Sequence, residues 1–268
     1  MNKHNYVLTE EEKKIFENHF IHDGHMGKQN FEEFTNNLIS HYLGQPFNLK
    51  NREDRERHKD YSINLIWDKD TKTTALMHCF NHPKFSVSNT KLKHYFIFNG
   101  DVNETNINGQ SAIMILAKNP KINFTLPDVL EKNDNFELLL LDENNKTVHM
   151  HFFDTINRET FHPNTAPKRK YGDIYMAFFT RITNLNDILA HWMKEDIPKT
   201  KEQEIYVGEK IALAAEIIRE VASDKEFLKY YKNYGILEDA KNLNSIGTML
   251  QLNATMTVNE QNNRKFKV

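Results

Sequence analysis

Three short segments of this 268-residue chain echo one another, and the echo constrains the fold more than any other feature. Thr74-Ala75-Leu76-Met77, Ser111-Ala112-Ile113-Met114 and Thr147-Val148-His149-Met150 each set a hydroxyl residue ahead of a run ending in Met, and their first residues lie 37 and 36 positions apart. A polar stretch rich in turn residues precedes each: Asp68–Lys72, Asn106–Gln110 and Asp142–Lys146. Further apolar stretches start near Asn89 and Leu126, 15 residues after the first two hydroxyl residues. The unit therefore reads as turn, short helix, kink at His82-Pro83 or Asn119-Pro120, and second helix. Such a unit cannot close a core alone and buries its apolar face only by stacking on its neighbours.

The flanks read as helices, so the expected fold class is all-α: a short stack of degenerate repeats between N- and C-terminal helical regions. Thr9 and Glu12 form a capping-box signature opening a helix through about Phe20. Phe31, Phe34, Leu38 and Tyr42 fall on one helical face. The charged run Asn51–Asp60 reads as a solvated helix with i,i+4 pairs. Tyr171 to Met193 has helical spacing with an interruption at Thr183-Asn184, and Pro198 closes that region. Glu202–Ala222 is the most regular helix, with Ile211, Ala215, Ile218 and Ala222 on a stripe that Ile217 and Val221 widen. Phe227, Leu228 and Tyr231 predict a further turn or two. Leu237, Ala240, Leu243 and Ile246 predict a last helix after Gly235, and the tail from Asn253 lacks periodicity and reads as loose. These readings divide the chain into 1–61, 62–170, 171–252 and a flexible tail, 253–268.

Composition removes several function classes. Nine glycines are too few for the phosphate-cradling loops and tight hairpins of a nucleotide-binding α/β enzyme; the 32 asparagines reflect compositional background more than folding. With 35 basic and 37 acidic residues the chain carries no charge excess that would demand nucleic acid or an anionic membrane as partner. A single cysteine, Cys79, forbids an intrachain disulfide and a thiolate zinc cage, and its place in the first repeated helix predicts core packing. No apolar run is long enough for a membrane span. The opening residues lack a secretory-type apolar stretch, so a reducing compartment is expected.

At Asn99–Leu116 the pattern resembles the junction between two ankyrin repeats. The family's slots are filled by Gly100, Asp101-Val102-Asn103, Asn106, Gly109, Ser111, Ala112 and Ile113. Gly109 suits a positive-φ turn position, Ser111 can cap the following helix, and Ile113 can bury against a neighbouring repeat. Lys72 and Asn145 stand in the equivalent glycine slots, the Asp register of the first unit is off by one, and His149 occupies an apolar slot. Met77, Met114 and Met150 replace the family's histidine. The match covers about a third of the chain.

The resemblance implies a non-enzymatic protein-recognition module. In such stacks binding uses the hairpin tips and the concave face of the first helices, which maps onto Asn103, Thr105, Ile107 and Gln110, with Asp70, Lys72, Asn144 and Lys146 as weaker candidates. Repeats in an Asn/Lys/Ile-rich chain are similar to the ankyrin effectors that intracellular bacterial pathogens inject into host cells. A tail ending in Phe266 and Val268 loosely resembles type IV secretion signals. The implied location is therefore the bacterial cytoplasm and then the host cytosol, and the implied partner is a host protein; oligomeric state is open. One alternative is an effector enzyme whose repeats select the substrate, with His191 near Glu195 or Asp187. Another is an adaptor using an exposed stripe along Ile211–Ala222.

Other chemistry is weaker. A zinc site wants three or four ligands on rigid elements with carboxylate or thiolate support. Asp23 and Gly24 between His22 and His25 read as a helix end that separates His25 from His19 and His22, and His149 with His151 is only a pair, so neither metal nor cofactor is expected. His149 and His151 read as sharing a short helix with one ring pointing inward. Lys168-Arg169-Lys170 reads as a solvated loop. Leu138–Leu141 reads as buried helix, or as a docking patch if exposed.

Overall fold

The computed structural model describes residues 3–21, 25–54, 62–82, 103–120, 126–127, 130, 137–161, 171–194, 197–224 and 236–265. The chain divides into two compact units. The first comprises Met1–Asn123 with Lys132–Asn145, the second Phe124–Glu131 with Lys146–Val268.

In the first unit, β1 (Lys3–Val7) leads into α1 (Glu10–Phe20) and α2 (His25–Leu43), and the chain returns as β2 (Ser62–Asp68). β1 and β2 pair in parallel from Lys3↔Ser62 to Val7↔Ile66. Parallel neighbours need a long crossover, which the two helices supply. β3 (Thr73–Thr74) pairs antiparallel to β2, making a three-stranded sheet in the order β1-β2-β3. α3 (Ala75–Asn81) and α4 (Ala112–Lys118) follow.

The predicted cap of α1 forms: Glu12 N–H donates to Thr9 Oγ1 at 3.3 Å while Thr9 N–H donates to the Glu12 carboxylate at 2.7 Å. The other carboxylate oxygen accepts from the Tyr6 hydroxyl at 2.7 Å, tying β1 to α1. Phe16, Phe20 and Phe31 are buried and meet edge-to-face across α1 and α2, with Phe31 centroids 5.3 Å from Phe16 and 4.8 Å from Phe20. His19 lies flat on Phe31 at 4.2 Å, so it is part of this aromatic core. His22 lies outside the described residues, as do the side chain of His25 and most of Asn51–Asp60.

The second unit contains α5 (Val148–Asp154), α6 (Arg158–Phe161), α7 (Tyr171–Trp192), α8 (Lys201–Ala222) and α9 (Ile236–Lys265). A capping box of Thr200 and Gln203 starts α8. Its predicted stripe is buried at Ile211, Ala215, Ile217, Ile218, Val221 and Ala222, so the exposed surface that an adaptor role would need there does not exist. α8 and α9 pack closely through small residues, since a Cβ on Gly247 would stand 2.9 Å from the Gly208 carbonyl oxygen.

Most of the described chain is helical, as the sequence predicts, and four local expectations are corrected. The sheet joins segments some 60 positions apart, and no local window reveals that pairing. α7 runs unbroken through Thr183-Asn184, because the weak helix propensity of those two residues is overridden by burial of Ile182, Asn184 and Leu185 on the same helix. α9 continues through Asn253 to Lys265: once a helix exists each further residue adds a hydrogen bond, and this stretch holds no Gly or Pro to stop it. Leu138–Leu141 is a turn, not a helix, with Leu139 and Leu141 exposed. Phe227, Leu228, Tyr231, the Lys168–Lys170 cluster and the apolar stretch near Asn89 lie outside the described residues.

Candidate functional site

The three echoing segments share one backbone design. Lys72, Gly109 and Asn145, each two residues ahead of the hydroxyl residue, have φ of 53°, 71° and 58°. That left-handed region is open to Gly and tolerated by Asn, and Lys72 adopts it against its own preference. Each of their N–H groups donates to the carbonyl three residues back, on Lys69, Asn106 and Asp142. Side chains brace the turns in the same way: Asp68 Oδ1 accepts from Asp70 N–H, Asn106 Oδ1 from Asn108 N–H and Asp142 Oδ1 from Asn144 N–H, at 2.9, 3.0 and 2.9 Å. In the first turn the bracing carboxylate sits one residue early, which is the register shift visible in the sequence. Hydrogen bonds from the Thr71 hydroxyl and the Asp70 N–H hold the Asp68 carboxyl below the usual carboxylate range.

Main-chain bonds then join turn to turn. Ile107 N–H donates to the Thr71 carbonyl and Glu143 N–H to the Asn108 carbonyl, both at 3.1 Å. Thr71 and Asn108 are each third before their hydroxyl residue, and Ile107 and Glu143 each fourth, so the two links occupy the same register.

Seven-residue helices follow all three turns. Thr74 and Thr147 accept from the N–H groups of Met77 and Met150. Ser111 stands at its N-cap position with φ −80° and ψ 166° but makes no capping side-chain bond, contrary to expectation; it is buried and pairs with Thr105 in an isolated bridge. α3 and α4 end at His82 and Asn119 in extended conformation, as residues before proline do, so the prolines terminate these helices rather than kinking them. A strut recurs as well: Lys118 Nζ donates to Gln110 Oε1 at 3.0 Å, and Lys146 Nζ meets Asp154 at 2.6 Å, from equivalent positions. Burial holds the Lys118 amine below the usual lysine range, partly offset by the nearby Asp142 carboxylate.

Among the predicted contact residues, Ile107 and Lys72 are exposed, and Ile107 is 58% accessible at the tip of the middle turn. Asp70 and Asn144 are exposed too. Asn103 is half-buried, its side chain accepting from Glu137 N–H at 2.9 Å. Thr105 is half-buried in the bridge to Ser111, and Gln110 is engaged by Lys118. Lys146 belongs to the second unit, held by Asp154 and lying 5.9 Å above the Tyr206 ring. Leu139 and Leu141, expected by default in a buried helix and only alternatively in a docking patch, are 50% and 47% accessible in the same unit as Ile107.

Cys79 is buried in α3, as expected. His149 and His151 are both buried, rather than one facing inward and one outward. Asp187 is exposed, Glu195 lies outside the described residues, and His191 Nδ1 meets His149 Nε2 at 2.9 Å. No helix among the described residues is long and apolar enough to cross a membrane. Comparison with family models, with curated proteins and with solved structures finds no match to this chain.

Proposed function

We propose that this chain is a non-enzymatic protein-recognition module, built on ankyrin-like repeats, that binds a partner protein through the row of turn tips in its first unit. The observation that carries the reading is Ile107: a large apolar side chain, 58% accessible, on a turn fixed to both neighbouring turns through the main chain. An apolar anchor on pre-ordered backbone loses little conformational freedom on binding, and partners commonly cover such anchors. Exposed Leu139 and Leu141 add apolar area in the same unit, and exposed Lys72, Asp70 and Asn144 supply polar contacts around it.

The ankyrin-like description is supported by the 37- and 36-residue spacings together with the left-handed backbone at Lys72, Gly109 and Asn145. That the partner is a host protein, met after type IV secretion, rests on the resemblance in composition and tail alone.

The test is affinity capture from host-cell lysate with the intact chain and with an Ile107→Glu variant of equal thermal stability. A partner whose recovery falls at least tenfold with the variant supports the reading. Identical partner sets for the two proteins, empty sets included, overturn it.

A further inference from the structure

We propose that the His149–His191 pair is an acid-sensitive latch that holds α5 against α7 while His149 is neutral and loosens progressively as pH falls. His149, only 1% accessible, projects from α5; its Nε2 lies 2.9 Å from Nδ1 of His191 in the last turn of α7, with ring centroids 5.2 Å apart and planes 24° from parallel. One helical turn along α5, Phe153 meets Trp192 of α7 edge-to-face at 6.3 Å. The polar and the aromatic contact thus sit side by side on the same pair of helices.

In the bonded pair one nitrogen donates and the other accepts. A proton added to the acceptor sets donor against donor at that distance. A proton added to the remaining nitrogen of His149 leaves the bond intact but places a cation in a buried site. Among the described residues, the groups whose charge acts on His149 are His191, Lys199 and Lys194. Lys199 is fixed there by donating to the Lys194 and Ile197 carbonyls, both at 2.8 Å, and by lying 5.3 Å above the Trp192 ring. His151 is buried on α5 itself. From α8, Tyr206 reaches α5 by donating to Asp154, with Lys210 over its ring. Burial first, then the neighbouring cations, hold the His149 pKa down to about 3, against an ordinary 6.5.

The sign follows from linkage. The folded pKa lies below the open-state value, so the stabilising effect is complete above pH 6.5 and is lost as pH falls toward 3. If His149 takes one proton only when α5 is released, the opening constant rises about 30-fold between pH 7.5 and pH 5.

Amide hydrogen exchange over Val148–Asp154, corrected for intrinsic rates, measures that constant in the full chain. The expected result is the 30-fold rise in the wild type and its absence in His149→Gln, which keeps hydrogen-bonding capacity but cannot titrate. An equal rise in both proteins, or none in either, overturns the latch. Should His149→Gln fail to fold, ring NMR shifts of the unaltered protein decide. A His149 signal still neutral at pH 4 in the folded form supports the proposal, and one with a midpoint near 6.5 overturns it.

Discussion

Gly109 is pressed against the main chain of Asp142: a Cβ built on Gly109 would stand 3.1 Å from Asp142 Cα and 3.1 Å from Glu143 N. The middle turn therefore needs its glycine twice over, for positive φ and for this close approach. Gly109→Ala is expected to cost about 2 kcal/mol, combining left-handed strain with displacement of the third turn. Lys72→Gly, at an exposed position of the same design with φ 53°, should run the other way. Relief of about 1–2 kcal/mol of strain outweighs about 0.4–1 kcal/mol of added freedom in the unfolded chain, leaving a small net gain. Urea denaturation of the two variants checks both signs.

Gly247→Ala sets two effects against each other. Alanine favours helix by about 1 kcal/mol over glycine, but forcing extra volume into a packed contact costs about 1–3 kcal/mol. Because the atom met is the Gly208 carbonyl oxygen, which is main chain and cannot swing aside, the second effect wins. A lowered denaturation midpoint, corresponding to about 1 kcal/mol, is expected. A raised midpoint would mean that α8 and α9 can part without loss.

Tyr6 should be among the last phenols to ionise. Its hydrogen bond to the Glu12 carboxylate, followed by burial, pushes its pKa to about 12 from the usual 10. The folded value is raised, so the contribution to stability is present below pH 10 and is lost as pH climbs through 12. Subtracting the ultraviolet titration of Tyr6→Phe from that of the wild type isolates the midpoint. In Glu12→Gln that midpoint should return toward 10.

Helix caps and repeated turns were legible because their information is local. Thr9 with Glu12, and the hydroxyl residues behind Asp68, Asn106 and Asp142, lie within one window of the chain. The left-handed backbone at Lys72 was the least visible of the three, since lysine is a poor advertisement for positive φ. Long-range relationships were not legible. β1 pairs with β2 across the whole of α1 and α2, and its residues show no apolar alternation. His149 stood out as a polar residue in an apolar slot, but nothing local links it to His191, 42 positions on. Leu138–Leu141 shows the opposite error: a dense apolar run too short to hold a helix alone, in a turn where Leu140 N–H donates to the Glu137 carbonyl.

The links between the turns run through main-chain atoms, Thr71 to Ile107 and Asn108 to Glu143, and enlist no side chain at the tips. Asp70, Ile107, Asn108 and Asn144 can therefore mutate without dismantling the frame that presents them. A chain of this kind can exchange one partner for another by drift at a few exposed letters while inheriting its skeleton intact. A combinatorial library randomised at those four sites would be populated mainly by folded members.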